Sequence, residues 1–290
     1  MQILDGKKVS AELFSRLQAR VDALKKKGVH PKLVFFLIGN NPASVAYVSM
    51  KQKASEDIGI LSEIIRYDDQ VTQAELIGKI EMLNSDPSVH GMMVQIPLPP
   101  QLSIPEITRA LDPRKDADGF HAYNMGKMTI AKEFEHLPPA TALGIIRLLD
   151  DYKIDVVGMN ITVLGRSNLV GKPTAIMLMN RDATVTVCHS KTKNTRDHCR
   201  NADMIIAATG VPKLVKADWV KDGAIVIDAG FAKVDGKVTG DVDFEHVAPK
   251  CSWITPVPGG CGPMTIYAIV ENTVKAAERQ LATKNEKLKT

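Results

Sequence analysis

Residues 160–179 read NITVLGRSNLVGKPTAIMLM. The apolar run Asn160 to Gly165 has the composition of a buried strand, and the segment from Gly171 onward has that of a helix. A strand, a glycine turn and then a helix is the context a dinucleotide site needs. Glycines let the backbone approach a pyrophosphate, and the free amides of a helix N-terminus bind anions. Pro173 suits the first helical turn, where no amide hydrogen is required. The pattern is G-x-S-x-x-x-G through Gly165, Ser167 and Gly171 rather than G-x-G-x-x-G. Taken alone, the same pattern also fits a plain strand–helix turn.

Downstream, TVTVCHS (Thr184 to Ser190), ADMIIAATG (Ala202 to Gly210) and AIVIDAG (Ala224 to Gly230) read as three further apolar strands with helices between them. That is an α/β unit of the doubly wound, Rossmann-like kind. Upstream, Val9, Leu13, Leu17, Val21 and Leu24 repeat at three and four, predicting a helix from about Val9 to Lys27 ended by Gly28. Strands are expected at Leu33–Gly39, Ser62–Tyr67 and Gly91–Ile96, and a helix at Ala43–Ile58. Thr72 and Glu75 form a capping box for the next helix. Such alternation implies a second parallel sheet with both faces covered. From Pro97 to about Pro139 the pattern breaks into a long stretch rich in Pro, Asp and Gly, of the functional or linking type. A helix resumes over Thr141–Tyr152, and a last one runs from about Met264 past Ala277 into the charged tail KNEKLKT.

The composition narrows the class. A chain of 290 residues makes two domains more natural than one core. Lys plus Arg total 37 against 33 Asp plus Glu, a net charge of +4, which argues against a polybasic nucleic-acid binder. The start, MQILDGKKVS, lacks the basic and apolar regions of a secretory signal. No run approaches the ~18 apolar residues of a membrane span. The four cysteines (Cys188, Cys199, Cys251, Cys261) form no C-x-x-C and do not cluster with histidines, so a reduced cytoplasm fits and a zinc site does not.

Cofactor choice is legible at the second strand of the doubly wound unit. An NAD site usually carries an acidic residue ~20 residues beyond the glycines. Here that strand ends in Cys188-His189-Ser190-Lys191, with no acid. Hydroxyl, amide and cationic groups would attract a 2′-phosphate that a carboxylate would repel. With Arg166 on the adjacent strand end, NADP is favoured over NAD; the competing reading is a solvated basic loop.

Chemistry is expected at Lys51. With Tyr47 at zero on a helical wheel, Lys51 falls near 40°, Ala54 near −20° and Ile58 near 20°, at about 100° per residue. Lys51 thus shares the inward face, opposite Gln52, Lys53 and Glu56. It either snorkels or is held in a pocket, where burial would lower its pKa and let the amine act as a base. Gln95 closes a strand. Asp116 and Asp118 fall in RKDADGFH, where Asp116 suits a turn former. The run PVPGGCGPMT (Pro256 to Thr265) would let the backbone approach a flat ligand, or serve as a hinge.

Five ordered motifs carry a resemblance: Y-V-x-x-K at Tyr47 to Lys51, V-Q-x-P-L-P at Val94 to Pro99, K-D-x-D-G-F at Lys115 to Phe120, G-R-S-N-x-V-G-K-P at Gly165 to Pro173, and P-V-P-G-G-x-G-P-M-T. From about Leu4 to Thr273 the chain resembles the bifunctional methylenetetrahydrofolate dehydrogenase/methenyltetrahydrofolate cyclohydrolase family. The resemblance implies two domains with a cleft between them. A folate-binding catalytic domain would span residues 1–140, completed by the C-terminal helix 264–290, and an NADP-binding domain residues 141–263. It implies that Lys51 is central to the cyclohydrolase, that Gln95 tunes it, and that Tyr47 stacks on the aminobenzoyl ring. Asp118 would hold the pterin; Leu98, Pro258 and Gly259 would also contact the folate. Gly165, Arg166, Ser167, Gly171, His189, Ser190, Thr209 and Gly210 would contact NADP, without a metal. Family members are generally cytoplasmic homodimers acting on tetrahydrofolate derivatives, with no role for nucleic acid or membrane.

Three segments depart from the family pattern. Pro139-Ala140-Thr141-Ala142-Leu143-Gly144 lacks a proline at the helix entry, leaving Thr141 to cap that helix. Asp228-Ala229-Gly230-Phe231 brings an aromatic side chain toward the cofactor region. Cys261 is either a reactive thiol or a space filler. Competing readings are a dehydrogenase-only relative, another NADP-dependent dehydrogenase on this architecture, or a folate-binding protein without turnover. The first two motifs and K-D-x-D-G-F argue against the last two.

Overall fold

The computed structural model describes residues 1–234 and 236–287. In chain order the elements are β1 (Gln2–Ile3), α1 (Gly6–Lys26), β2 (Lys32–Ile38), α2 (Pro42–Asp57), β3 (Leu61–Tyr67), α3 (Gln73–Ser85), β4 (Gly91–Val94), α4 (Ile104–Ala110), α5 (Ala122–Met128) and α6 (Ala140–Asp151). There follow β5 (Asn160–Leu164), α7 (Gly171–Met179), β6 (Thr184–Cys188), α8 (Thr195–Arg200), β7 (Met204–Ala207), β8 (Ile225–Asp228), β9 (Ala232–Val234), β10 (Lys237–Thr239), α9 (Phe244–Val247), β11 (Trp253–Ile254) and α10 (Cys261–Lys287). Three-residue 3₁₀ turns begin at Lys132, Ala217 and Ala248. None of the helices among the described residues is long and apolar enough to cross a membrane.

Contacts divide the chain into two units. One comprises Glu12–Lys127, Glu135–Ala140 and the chain from Ile266 onward. Its sheet is parallel, in the order β3-β2-β4, with Leu33 opposite Ser62 and Phe36 opposite Val94. The central strand KLVFFLI is buried from Leu33 onward. That follows from covering both faces: Val34, Phe36 and Ile38 pack with Leu76 and Ile80 of α3 and Ile107 of α4, while Leu33, Phe35 and Leu37 point the other way and are equally buried. On that second side α10 comes close enough to β4 that a Cβ on Gly91 would lie 2.5 Å from Thr273 Oγ1. Asn272, also on α10, donates to the carbonyls of Ala117 and Pro138, 3.0 Å each. The Arg20 guanidinium of α1 grips the Glu278 carboxylate through two nitrogens, at 3.0 and 2.7 Å.

The other unit comprises Met1–Ala11, Met128–Phe134 and Thr141–Thr265. Its six-stranded sheet has the order β1-β11-β8-β7-β5-β6, and every pairing is parallel. The core holds Leu164, Ile205, Ala207, Val226 and Ile254 among others. Residues 1–11, expected with the first domain, group with this sheet, because β1 pairs with β11. Two-residue strands carry no readable alternation. The hairpin β9–β10 was likewise not anticipated, and both its strands are only three residues long.

Most expected elements form, with end shifts of one to three residues. α1 begins at Gly6 rather than near Val9, because the Asp5 carboxylate accepts the Lys8 amide at 2.9 Å and caps it. The capping box of Thr72 and Glu75 forms. The stretch from Pro97 to Pro139 is not a long loop: it holds α4, α5 and a 3₁₀ turn, pieces too short for a helical period to show. Thr141 does not cap α6. The helix already includes Ala140, and the Thr141 hydroxyl instead accepts from Thr265 Oγ1 at 3.3 Å. α10 begins at Cys261, three residues earlier than expected, with Gly262 and Pro263 inside its first turn. The final residues of that expected helix, 288–290, lie outside the described residues.

Thr72→Ala removes one half of the capping box and should cost about 1 kcal/mol. A lower urea midpoint for the loss of helical signal, with unchanged steepness, is the expected result.

Candidate active site

α2 is launched by Asn41, whose side chain accepts the Ala43 and Ser44 amides at 2.9 and 3.2 Å, with Pro42 in the first turn. This orients a face on which Ser44, Val48, Lys51 and Ser55 are buried. The wheel placed Lys51 and Ile58 correctly. The face is nevertheless centred on Val48 and Ser55, and Tyr47 and Ala54 are half-buried at its margin. Serine is tolerated there because the Ser55 hydroxyl donates to the Lys51 carbonyl at 2.8 Å.

Lys51 is only 6% exposed. Its Nζ donates to Gln95 Oε1 at 2.9 Å and lies 3.5 Å from the Met93 sulfur. β4 ends at Val94, but the Gln95 amide still bonds the Phe36 carbonyl, so the side chain leaves at the C-terminal end of the sheet. The Gln95 amide nitrogen donates to the Ile96 carbonyl at 2.6 Å. That contact sets the amide's orientation and turns its oxygen toward Lys51. Burial lowers the Lys51 pKa, and the Asp118 carboxylate opposes the shift. Burial raises the Asp118 pKa to about 6, with Lys51 pulling it down and Asp116 pushing it up. Lys51, Gln95 and Asp118 therefore form one electrostatic group, with Tyr47 one turn before Lys51. Burial also raises the Tyr47 phenol's pKa.

Asp116 has the turn-forming role. Its carboxylate accepts from the Gly119 and His121 amides at 3.0 and 2.8 Å and from Asn124 Nδ2 at 2.9 Å. Gly119 adopts φ 77°, and a Cβ there would strike the Pro138 carbonyl. This braced turn presents Asp118. Leu98 is half-buried and packs on the core that contains Phe36 and Leu102.

The candidate cofactor residues lie in the six-stranded unit, at the carboxyl ends of neighbouring strands. Gly165 follows β5 with φ 112°, and its amide bonds the Cys188 carbonyl at 2.8 Å. A Cβ on Gly165 would collide with the Ala208 carbonyl, and one on Gly171 with the Gly165 carbonyl. Both positions thus require glycine, which fits a turn that a dinucleotide pyrophosphate can approach. The Ser167 hydroxyl accepts from the Val170 and Gly171 amides at 3.1 and 3.4 Å, closing the turn that leads into α7. Arg166 and Ser190 are exposed, each two residues beyond the paired positions Leu164 and Cys188. The His189 amide donates to Thr192 Oγ1, and its Nδ1 accepts from the Lys191 amide. Pro258 and Gly259 are also in this unit, where the Gly259 carbonyl accepts from the Lys7 amide at 2.9 Å.

Two matches span most of the chain. Residues 4–118 match the catalytic domain of tetrahydrofolate dehydrogenase/cyclohydrolase, and residues 139–281 match its NAD(P)-binding domain. The bifunctional protein FolD of Campylobacter concisus is 50% identical over 283 residues, covering 97% of this chain and 99% of that protein. The crystal structure of the bifunctional FolD enzyme from Campylobacter jejuni superposes with a TM-score of 0.94 at 46% identity, covering 96% of this chain and 99% of that one. The Trypanosoma brucei enzyme, crystallised with NADP cofactor and an inhibitor, gives a TM-score of 0.91 at 34% identity over 96% and 97% of the two chains. The chain belongs to the tetrahydrofolate dehydrogenase/cyclohydrolase family. It is a bifunctional methylenetetrahydrofolate dehydrogenase and methenyltetrahydrofolate cyclohydrolase that uses NADP.

In this family member, one residue the sequence did not single out holds the loop after β7. Asp241 is fully buried, and its Oδ2 accepts from the Thr209 amide (2.5 Å), the Thr209 hydroxyl (2.8 Å) and the Gly210 amide (3.0 Å). Its neighbour Asp228, at the end of β8, accepts from the Gly230, Asp241 and Val242 amides. Burial raises the Asp228 pKa to about 6. The glycine of Asp228-Ala229-Gly230-Phe231 is required, since a Cβ there would strike Asp241 Oδ1. The only signal was an isolated G-D-V-D at Gly240 to Asp243, which reads as a turn. Phe231 is 44% exposed. Cys261 is buried and burial raises its thiol pKa, so it fills space rather than reacts.

Lys51→Met removes the cation that holds the Asp118 pKa down. The Asp118 carboxyl, followed by carbon-13 NMR, should then titrate above about 6. Because the folded pKa is raised, stability falls as pH rises from about 4 toward about 6, and Asp118→Asn should flatten that limb of a pH–denaturation series.

Proposed function

We propose that the three-stranded unit carries most of the folate contacts and the six-stranded unit the NADP contacts. Residues 1–140 with the C-terminal helix from 264 form the folate-binding catalytic domain, less the β1 segment, and residues 141–263 the NADP domain. The observation that carries the reading is the buried Lys51 amine, held by Gln95 and acted on by Asp118.

In the first reaction a hydride leaves the methylene carbon of 5,10-methylenetetrahydrofolate, giving the methenyl cation. NADP supplies the hydride acceptor when bound. Gly165, Ser167 and Gly171 would admit its pyrophosphate, and Arg166 with Ser190 its 2′-phosphate; His189, Thr209 and Gly210 complete the contacts. This step asks the protein mainly for placement. Tyr47 stacks on the aminobenzoyl ring, Asp118 holds the pterin, and Leu98, Pro258 and Gly259 contact the folate.

In the second reaction water adds to the methenyl carbon, one proton leaves, and the ring opens to 10-formyltetrahydrofolate. A neutral amine at Lys51 donates one N–H to Gln95 and keeps its lone pair for the proton of the attacking water. Burial favours that neutral form and the Asp118 carboxylate opposes it by favouring the protonated amine, so the balance of the two sets the pH at which the base works. The resemblance further supports a cytoplasmic homodimer, which sedimentation of the purified protein would test.

A spectrophotometric assay with 5,10-methylenetetrahydrofolate and NADP⁺ or NAD⁺ tests the whole reading. Methenyl formation with NADP⁺, followed by enzyme-accelerated decay, is expected. Lys51→Met should abolish the accelerated decay while the protein still folds and binds NADP; retained cyclohydrolase turnover would refute the role. Arg166→Gln should raise KM for NADP⁺ at least tenfold and leave KM for NAD⁺ nearly unchanged.

A further inference from the structure

The three-stranded unit contains a cavity of about 560 Å³ that is lined by none of Tyr47, Lys51, Gln95, Leu98 or Asp118. It is bounded by the ends of α3 and α5, the turn before Asp116, and the outer part of α10. Its lining includes Arg114, Lys115, Lys127, His136, Arg279 and Lys284, and no Asp or Glu. Such a concentration of one sign is not the usual mixed surface of a soluble protein.

The internal neutralisation is incomplete. Arg114 is chelated by the Asp112 carboxylate. Lys115 is 7% exposed, and its Nζ donates to the carbonyls of Leu83 and Asp86 at 2.9 and 2.6 Å. These are neutral acceptors that satisfy two of its three protons, and the Asp112 and Asp86 carboxylates offset its charge only in part, since burial still lowers its pKa. Lys127 lies over the Tyr123 ring, 4.8 Å from its centre, which fixes the ammonium without cancelling it. Among the described residues, no ion pair involves Lys127, Arg279 or Lys284. His136 senses the result: burial and the cations Arg279, Lys127 and Lys275 all lower its pKa.

We infer that this cavity is a second ligand site, for a small phosphate ester of two or more negative charges. Volume and lining both point to an ester rather than a bare ion. The space lies within the ~300–1,000 Å³ range of organic-ligand pockets and exceeds what one phosphate group fills. Leu137, Ala276 and the Tyr123 ring add apolar surface to the same lining, beside cations able to take charge-assisted bonds. Phosphate is the favoured anion because Arg279, with its planar fork, lines the same cavity as Lys127 and Lys115.

The test is calorimetric titration of the full-length protein with ATP, pyrophosphate, inorganic phosphate and citrate, each with NADP⁺ saturating so that the cofactor's own phosphate contacts are occupied. One saturable site for ATP is expected, weakening as salt rises. The double variant Lys127→Gln, Arg279→Gln should weaken it at least tenfold, with dehydrogenase and cyclohydrolase turnover unchanged in the absence of the anion. The His136 ring, followed by nitrogen-15 NMR, should titrate at higher pH when the site is filled. ATP binding tighter than pyrophosphate sustains the ester, and pyrophosphate binding as tightly as ATP overturns it. No saturable binding, equal affinity in the double variant, or tighter binding of citrate than of pyrophosphate would overturn the inference.

Discussion

A lysine ammonium withdrawn from water has to be compensated or has to lose its proton, and much of the architecture around Lys51 follows from that. Burying an uncompensated charge costs several kcal/mol. Lys51 is nonetheless placed on the inner face of α2, with one amide oxygen and one sulfur as its polar neighbours. That placement demands a fixed Gln95, which in turn demands that β4 stop at Val94 and that the amide be anchored to the Ile96 carbonyl. It also demands a carboxylate at a set remove. The Asp116 turn, braced by three donors and by Gly119 against Pro138, supplies it.

Both units use the same geometric opportunity. In a parallel sheet every strand ends on the same side, so residues just past the ends converge from segments distant in sequence. Gln95 follows β4, Gly165 follows β5, His189 follows β6, and Thr209 follows β7. What differs is how each loop is held. After β4 the side chain is held by its own backbone, whereas after β7 the backbone is held by a buried carboxylate from a later segment, Asp241.

The sequence was most legible where a pattern is long or a residue type is forced. KLVFFLI could be read as a strand buried on two faces, and Gly165 and Gly171 as a turn admitting no side chain. Lys51 was legible because a charged residue broke an apolar period. Short pieces were not: α4 and α5 are seven residues each, too few turns for a period to emerge amid Pro and Gly. The N-terminal strand was missed because two residues, Gln2 and Ile3, gain their identity only from the partner strand β11. Asp241 was missed for a related reason. Its role is set by donors more than thirty residues earlier in the chain, and no local signal announces such a clamp.

The order of segments has a consequence for synthesis. The six-stranded sheet takes its outer strand from residues 2–3 and the strand beside it from residues 253–254. The three-stranded unit begins at Glu12 yet is closed by α10, through Glu278 and Asn272. A ribosome emitting this chain therefore releases most of both cores before either has its last element. The nascent protein must keep β2 and its apolar neighbours from straying until the C-terminal helix is made, and a translation stall before residue 253 would leave both units open at once.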